Sequence, residues 1–208
     1  MVIPNSYLLY HPKRQRQITV VGSLKIHHDK FGGNEDPYLW NKQFLHTYCH
    51  ITQLSNEVGQ VNFWVSNDSF KKLDALYCNC VFVIAEKCWW KEPNFISRKD
   101  KIVENDQTFE HHYKWHIQHP LKRRRYTLKA DSTLSFQPQD SNGNLIDILP
   151  FLNSQGFSTS DLSDGMKAGF SSNPFELGAS IGLKLYEHLV RMAPVKILGK
   201  QIAYKHTI

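Results

Sequence analysis

The sequence has no long hydrophobic run, few cysteines and no catalytic motif with reliable spacing. Within its 208 residues no apolar segment reaches the length of about 18 residues that suggests a membrane-spanning helix. Residues 1–10 lack the basic start and the apolar stretch of a secretory signal peptide. Neither a phosphate-binding GxxxxGK[ST] loop nor a GxSxG nucleophile elbow occurs. We therefore expect a protein without a membrane segment, located in the cytoplasm.

Cysteine is scarce, and the four that occur (Cys49, Cys78, Cys80 and Cys88) form no CxxC motif. Cys78 and Cys80 are two residues apart, which predicts that they share one face of a strand. Such neighbours are poor disulfide partners and an incomplete zinc set. Their apolar surroundings predict buried free thiols, which is typical of a reducing compartment.

The composition is that of an ordinary globular protein, with 41% hydrophobic and 21% charged residues. Twelve Phe, nine Tyr and five Trp argue against a disordered chain. The length suits one hydrophobic core, and no linker-like segment divides it. We predict a single domain over residues 1–208.

Strands are predicted where β-branched and aromatic residues cluster or alternate. Segment 78–85 has apolar residues on both faces of a strand's alternation, which predicts a strand near the centre of a sheet with both faces covered. The alternation over 61–65 predicts a half-buried strand, and 18–26 reads as another. A longer alternation over 126–136 predicts an extended strand or a hairpin, with Leu134 on its core face.

Helices are predicted from apolar residues at helical spacing and from capping signals. The clearest begins with a capping-box pattern at Asn173 and Glu176 and is stopped by Pro194, after which a terminal strand or hairpin follows. The others are expected over 37–56, over a short segment ending near Gln118, and over 161–169. Strands and helices do not alternate strictly, so we predict an α+β fold with a mixed or antiparallel sheet packed by two or three helices.

Acidic residues are absent from a basic stretch. The formal net charge is +6, and no Asp or Glu occurs between His111 and Ala130. Side chains on one face of a strand repeat about every 7 Å, close to the phosphate spacing of an extended nucleic-acid strand. We therefore expect this stretch to bind backbone phosphates, with one aromatic residue stacking on a base. The predicted contacts are Lys122, Arg123, Arg124, Arg125, Lys129 and Trp115.

Histidines provide a second candidate site. His112 and His116 are four residues apart in one predicted helix, and His46 and His50 are four apart in another. Two imidazoles with this spacing can share a divalent metal ion, so the four are candidate ligands if the helices pack together. A histidine acid–base role for His112 and His116 is the alternative, and surface or structural histidines are the simplest interpretation.

Glu86 and Lys87 follow the predicted central strand, where one class of metal-dependent nucleases places an acid-x-lysine pair. Here the two residues are adjacent, so a strand would direct them to opposite faces. Glu86 is therefore a candidate catalytic residue that departs from the nuclease pattern, and a strand-end ion pair is the simpler role.

Three hypotheses of function remain open. The first is a nucleic-acid-associated protein that binds DNA or RNA through its basic strand. The second is a metal- or histidine-dependent hydrolase or nuclease. The third is a non-catalytic subunit of a nucleoprotein assembly, whose basic face meets an acidic partner or a nucleoprotein. The sequence does not decide whether a bond is broken or whether a divalent metal is needed.

Overall fold

The structure is a computed structural model, and it describes nine parts of the chain, namely 4–10, 15–31, 34–35, 38–41, 44–47, 56–68, 72–89, 126–166 and 174–198. The strands within these parts are β1 (Tyr7–Tyr10), β2 (Gln15–Val21), β3 (Leu24–Phe31), β4 (Asn34–Glu35), β5 (Tyr38–Asn41), β6 (Phe44–Thr47), β7 (Val61–Ser66), β8 (Tyr77–Trp89), β9 (Tyr126–Ala130), β10 (Phe136–Gln139), β11 (Phe175–Glu176) and β12 (Val195–Leu198). The helices are α1 (Leu149–Ser154), α2 (Thr159–Gly165) and α3 (Ala179–Met192).

Nine strands form one mixed sheet. Seven of them follow the order β11-β1-β7-β8-β9-β6-β5. Strand β10 pairs with β8 on the edge that β9 also occupies, and β12 pairs with β10. Only the β1–β7 pair is parallel among the strand pairs of the described residues. Strands β2, β3 and β4 form a separate antiparallel sheet. The predicted α+β class is confirmed, and none of the described helices is long and apolar enough to cross a membrane.

Strand β8 lies inside the main sheet and is buried from Cys78 to Ile84, as the apolar sequence predicts. One face packs under the three helices, and this helix-side core contains Val81, Leu162 and Leu185. The opposite, hairpin-side core contains Phe82 and meets Ile26 of β3. Helices therefore cover one face of the central strand, and the β2–β3 hairpin covers the other.

A register shift in β8 changes which side chains share a face. Trp64 pairs with Cys80 but the next residue, Val65, pairs with Cys78, so Asn79 is an extra residue in the strand. As a result Cys78 lies in the helix-side core and Cys80 in the hairpin-side core. The predicted buried free thiols are confirmed for this pair, but the expectation that they share one face is wrong.

The helix expected over 37–56 is wrong. Within this segment, 38–41 and 44–47 form β5 and β6, which pair as an antiparallel hairpin. Strand β6 also pairs with β9, where Thr47 lies opposite Leu128. Aromatic and β-branched residues favour strands. The apolar residues of this segment also have helical spacing, but pairing with a strand distant in the sequence decides its conformation.

Two other predicted strands contain turns. Segment 18–26 is split at Gly22, whose φ of +63° glycine adopts without strain, and the hairpin of β2 and β3 results. Segment 126–136 is split between Asp131 and Leu134. Strands β9 and β10 then follow the same edge of β8, and Leu134 is 46% exposed instead of lying in the core.

The strand predicted at 61–65 exists as β7, but it is buried on both faces. The C-terminal helix is confirmed as α3, although its cap is not the predicted one, because Phe175 and Glu176 pair with β1 as β11. Gly182 allows α3 to approach the sheet closely, since a Cβ there would overlap the side chain of Ser6. The helix expected at 161–169 begins two residues earlier as α2, and the one ending near Gln118 lies outside the described residues.

Two buried glutamines of β10 hold the β2–β3 hairpin on the sheet. The Gln137 side chain accepts a hydrogen bond from the His27 amide at 2.9 Å and donates to the His27 carbonyl at 2.9 Å. It also donates to the carbonyl of Asn79 at 2.9 Å. Gln139 donates to the carbonyl of Lys25 at 2.6 Å. Side-chain amides thus replace the backbone pairing that a strand would provide at this place.

Replacing Gln137 by Met should destabilise the protein by about 2–4 kcal/mol, because it removes bonds to buried groups at His27 and Asn79. Urea unfolding followed by circular dichroism measures the change. The control is Gln155→Met, which removes a more exposed amide and should cost less than about 0.5 kcal/mol. Equal midpoints for the two variants would show that the glutamine contacts do not hold the hairpin.

Candidate functional site

Three of the predicted site residues lie in the described strands, namely His46, Glu86 and Lys129. The others lie outside the described residues, and their predicted roles stay predictions. They are His50, His112, Trp115, His116, Lys122, Arg123, Arg124 and Arg125.

The three described site residues occupy one row across neighbouring strands. Lys129 of β9 is the cross-strand partner of Glu86 on one side and of His46 on the other. Adjacent strands lie about 4.8 Å apart, so the backbone positions of His46 and Glu86 are about 10 Å apart with Lys129 between them. The fold thus brings an acid, a cation and an imidazole-bearing residue together from distant parts of the chain.

A second register shift in β8 creates this row. Ile84 pairs with Ala130, whereas Glu86 pairs with Lys129, so Ala85 is an extra residue. Without the shift Lys129 would lie opposite Ala85. Glu86 would lie opposite Leu128, which is fully buried in the hairpin-side core. With the shift Glu86 lies opposite Lys129, and Lys87 takes the position opposite Leu128.

Strand β8 continues to Trp89, so the expectation that Glu86 and Lys87 lie at the strand end is wrong. Lys87 pairs with Leu128 and donates a hydrogen bond to the carbonyl of Asn56 at 3.2 Å. Glu86 and Lys87 therefore have different cross-strand partners on opposite faces, as their adjacency predicts.

An ion pair joins two members of the row. The Nζ atom of Lys129 lies 3.5 Å from Oε2 of Glu86. The Glu86 side chain is 59% exposed and that of Lys129 is 22% exposed, so solvent screens the pair and its contribution to stability is about 0–1 kcal/mol. The Glu86 carboxylate offsets part of the positive charge of Lys129.

A turn held by the Asp131 side chain follows β9. The Oδ1 atom of Asp131 accepts hydrogen bonds from the amide of Thr133 at 2.8 Å, the hydroxyl of Thr133 at 2.7 Å and the amide of Leu134 at 3.0 Å. The Thr133 hydroxyl and amide lower the pKa of Asp131 most. The Tyr186 hydroxyl donates to the carbonyl of Leu134 at 3.4 Å, which connects the turn with α3.

The basic run directly precedes β9, the middle strand of this row, in the sequence. Tyr126 is the cross-strand partner of Trp89, so both ends of segment 90–125 join the sheet at one place. Lys122 to Arg125 directly precede Tyr126 in the sequence. The predicted strand is confirmed from Tyr126 to Ala130, so the run continues into the strand that carries Lys129.

The sequence interpretation missed a buried cluster of amides. Gln60 donates to the side-chain oxygens of Asn56 at 3.2 Å and Asn62 at 2.8 Å. The only sequence signal is a pair of polar residues, Gln60 and Asn62, in an otherwise apolar strand segment. Since these amides bond to one another, their role is structural.

No three His, Cys, Asp or Glu side chains of the described residues are grouped so that they could hold a metal ion. The predicted four-histidine site cannot be assembled from two packed helices as expected, because His46 lies on β6. Comparison of the chain with protein-family models, curated proteins and solved structures finds no match.

Replacing Asp131 by Ala should lower stability at neutral pH, because the turn loses its acceptor. The pKa of Asp131 is below its ordinary value of 3.8 in the folded protein. Its carboxylate therefore contributes stability above about pH 4, and that contribution is lost as the pH falls through the lowered pKa. Urea midpoints of wild type and variant should differ at pH 7 and converge in acid. Ser132→Ala in the same turn should keep the wild-type pH dependence, and a constant difference for Asp131→Ala would contradict the assigned cause.

Proposed function

We propose that the protein binds the phosphate backbone of a nucleic acid at the β6–β9–β8 row and at the basic run that precedes β9. The observation that carries the proposal is that the run continues in the sequence directly into β9, the strand in which Lys129 pairs with His46 of β6. No acidic residue lies in the sequence from His111 to Ala130. Guanidinium groups form bidentate contacts with phosphates, which favours this ligand class.

The basic residues are expected to contribute unequally to the binding affinity. Because Glu86 offsets part of the charge of Lys129, most of the affinity must come from the four residues Lys122 to Arg125. Each phosphate contact contributes mainly by releasing counterions, so binding should weaken steeply as salt rises. The buried free thiols of Cys78 and Cys80 support a reducing compartment such as the cytoplasm.

The salt dependence of binding tests the proposal. Fluorescence anisotropy with a labelled single-stranded oligonucleotide should show a linear loss of log affinity with log salt concentration. In the triple variant R123Q/R124Q/R125Q the slope should fall by about 2, since each phosphate contact on a single strand contributes roughly 0.7.

The matched control removes three positive charges elsewhere. The C-terminal residues 192–208 contain three lysines and no acid, so K196Q/K200Q/K205Q makes the same change in net charge. Its slope should stay near that of the wild type. An equal decrease of the slope in both triple variants would show that binding depends on net charge alone and not on the position of the basic residues. No binding by the wild type would leave an acidic protein partner, and thus a non-catalytic subunit, as the better hypothesis.

Single substitutions in the row should act in opposite directions. Lys129→Gln removes a cation beside the phosphate path and should weaken binding about threefold. Glu86→Gln removes the competing carboxylate and should strengthen binding by a similar factor, because the partial charge offset is lost. Lys184→Gln and Glu187→Gln on the exposed face of α3 are the charge-matched controls. Weakening by both row substitutions would indicate that the ion pair is only structural.

A further inference from the structure

We infer that Glu86 and Lys129 together recognise the pairing edge of guanine in a single strand whose phosphates bind at the basic run. The inference rests on the proposed backbone binding and adds a base preference to it. The observation behind it is a carboxylate beside an ammonium group, with Nζ of Lys129 3.5 Å from Oε2 of Glu86. Phosphate contacts carry no sequence information, so a base preference needs polar groups of this kind beside the basic run.

The pair presents one hydrogen-bond donor next to two acceptors. The ammonium group of Lys129 only donates hydrogen bonds, and the ionised carboxylate of Glu86 only accepts them. More than half of the Glu86 side chain is exposed to solvent. A carboxylate has about four acceptor sites, so one contact with Lys129 does not saturate it. A matching ligand must offer one acceptor followed by two donors along one edge.

Guanine is the base whose pairing edge has this order, with the acceptor O6 followed by the donors N1–H and N2–H. Its O6 can accept from Lys129 while the two donors bind the two oxygens of Glu86. Cytosine and adenine have one amino group next to an acceptor nitrogen, so they satisfy only one carboxylate oxygen. Uracil and thymine have a carbonyl on each side of their single N–H, and one carbonyl would face the carboxylate. Since pairing edges are accessible in unpaired strands, the expected ligand is single-stranded.

Two features of the chain connect the pair with the basic run. The extra residue Ala85 sets Glu86 opposite Lys129, and β-bulges commonly redirect a side chain at a functional site. Arg125 is four residues from Lys129 in the sequence, so at most about 14 Å of chain separates the run from the pair. A helical strand covers that distance in about four nucleotides, at a rise of about 3.4 Å each, and an extended strand in fewer. Phosphates at the run and a guanine at the pair can therefore belong to one strand.

The test measures fluorescence anisotropy with strands in which thymidine alternates with guanosine, cytidine, inosine or 7-deazaguanosine. The wild type should bind the guanosine strand about tenfold more tightly than the cytidine strand, within the usual discrimination by a bidentate base contact. Inosine lacks the N2 amino group and should give an intermediate affinity. 7-Deazaguanosine keeps the whole pairing edge and should bind like guanosine.

Glu86→Gln should bind the guanosine and cytidine strands equally, because a side-chain amide has one acceptor oxygen and cannot accept from both guanine donors. On an all-thymidine strand, where only the charge effect operates, the same variant should bind about threefold more tightly than the wild type. A damaged fold would not strengthen binding. Glu187→Gln on the exposed face of α3 is the charge-matched control and should keep the wild-type preference.

Equal affinity of the wild type for all strands would reject the inference and leave the proposed function intact, whereas no binding at all would reject both. A guanosine preference that persists in Glu86→Gln would overturn the inference, because another group would then select the base. A preference that is lost with 7-deazaguanosine would also overturn it, since recognition would then depend on N7 and not on the pairing edge.

Discussion

The backbone pairing of β8 along both of its edges is the constraint on which the rest of the structure depends. This strand is longer than any of its neighbours, and its pairing includes two extra residues, Asn79 opposite β7 and Ala85 opposite β9. Each extra residue reverses the alternation of the side chains that follow. The first sends Cys78 and Cys80 into different cores, and the second sets Glu86 opposite Lys129.

The two shifts connect the core with the candidate site. At the first shift the carbonyl of Asn79 is taken up by Gln137, which also holds the β2–β3 hairpin over the hairpin-side core. At the second shift Glu86 comes to lie opposite Lys129, and Lys87 comes to lie opposite Leu128. The extra residue Asn79 thus contributes to packing of the core, and the extra residue Ala85 determines the position of Glu86 in the row.

Local patterns in the sequence predict much of the fold, but not the grouping of the site. An apolar run identifies β8, and helical spacing identifies α3, because burial fixes both directly. A β-bulge has no signal in a period of two residues, so the faces of Cys78 and Cys80 and the partner of Glu86 were not predictable. Segment 37–56 was mistaken for a helix because its pairing with β9 depends on residues distant in sequence.

The central claim is that Lys129 lies between His46 and Glu86 in one row. Its most direct test is a nuclear Overhauser experiment on the labelled protein, which measures contacts between backbone protons of paired strands. The register of β6, β9 and β8 predicts cross-strand contacts of residue 129 with residues 46 and 86, and of residue 128 with residues 47 and 87. Contacts of residue 129 with Ala85, or none with His46, would contradict the register and with it the proposed site.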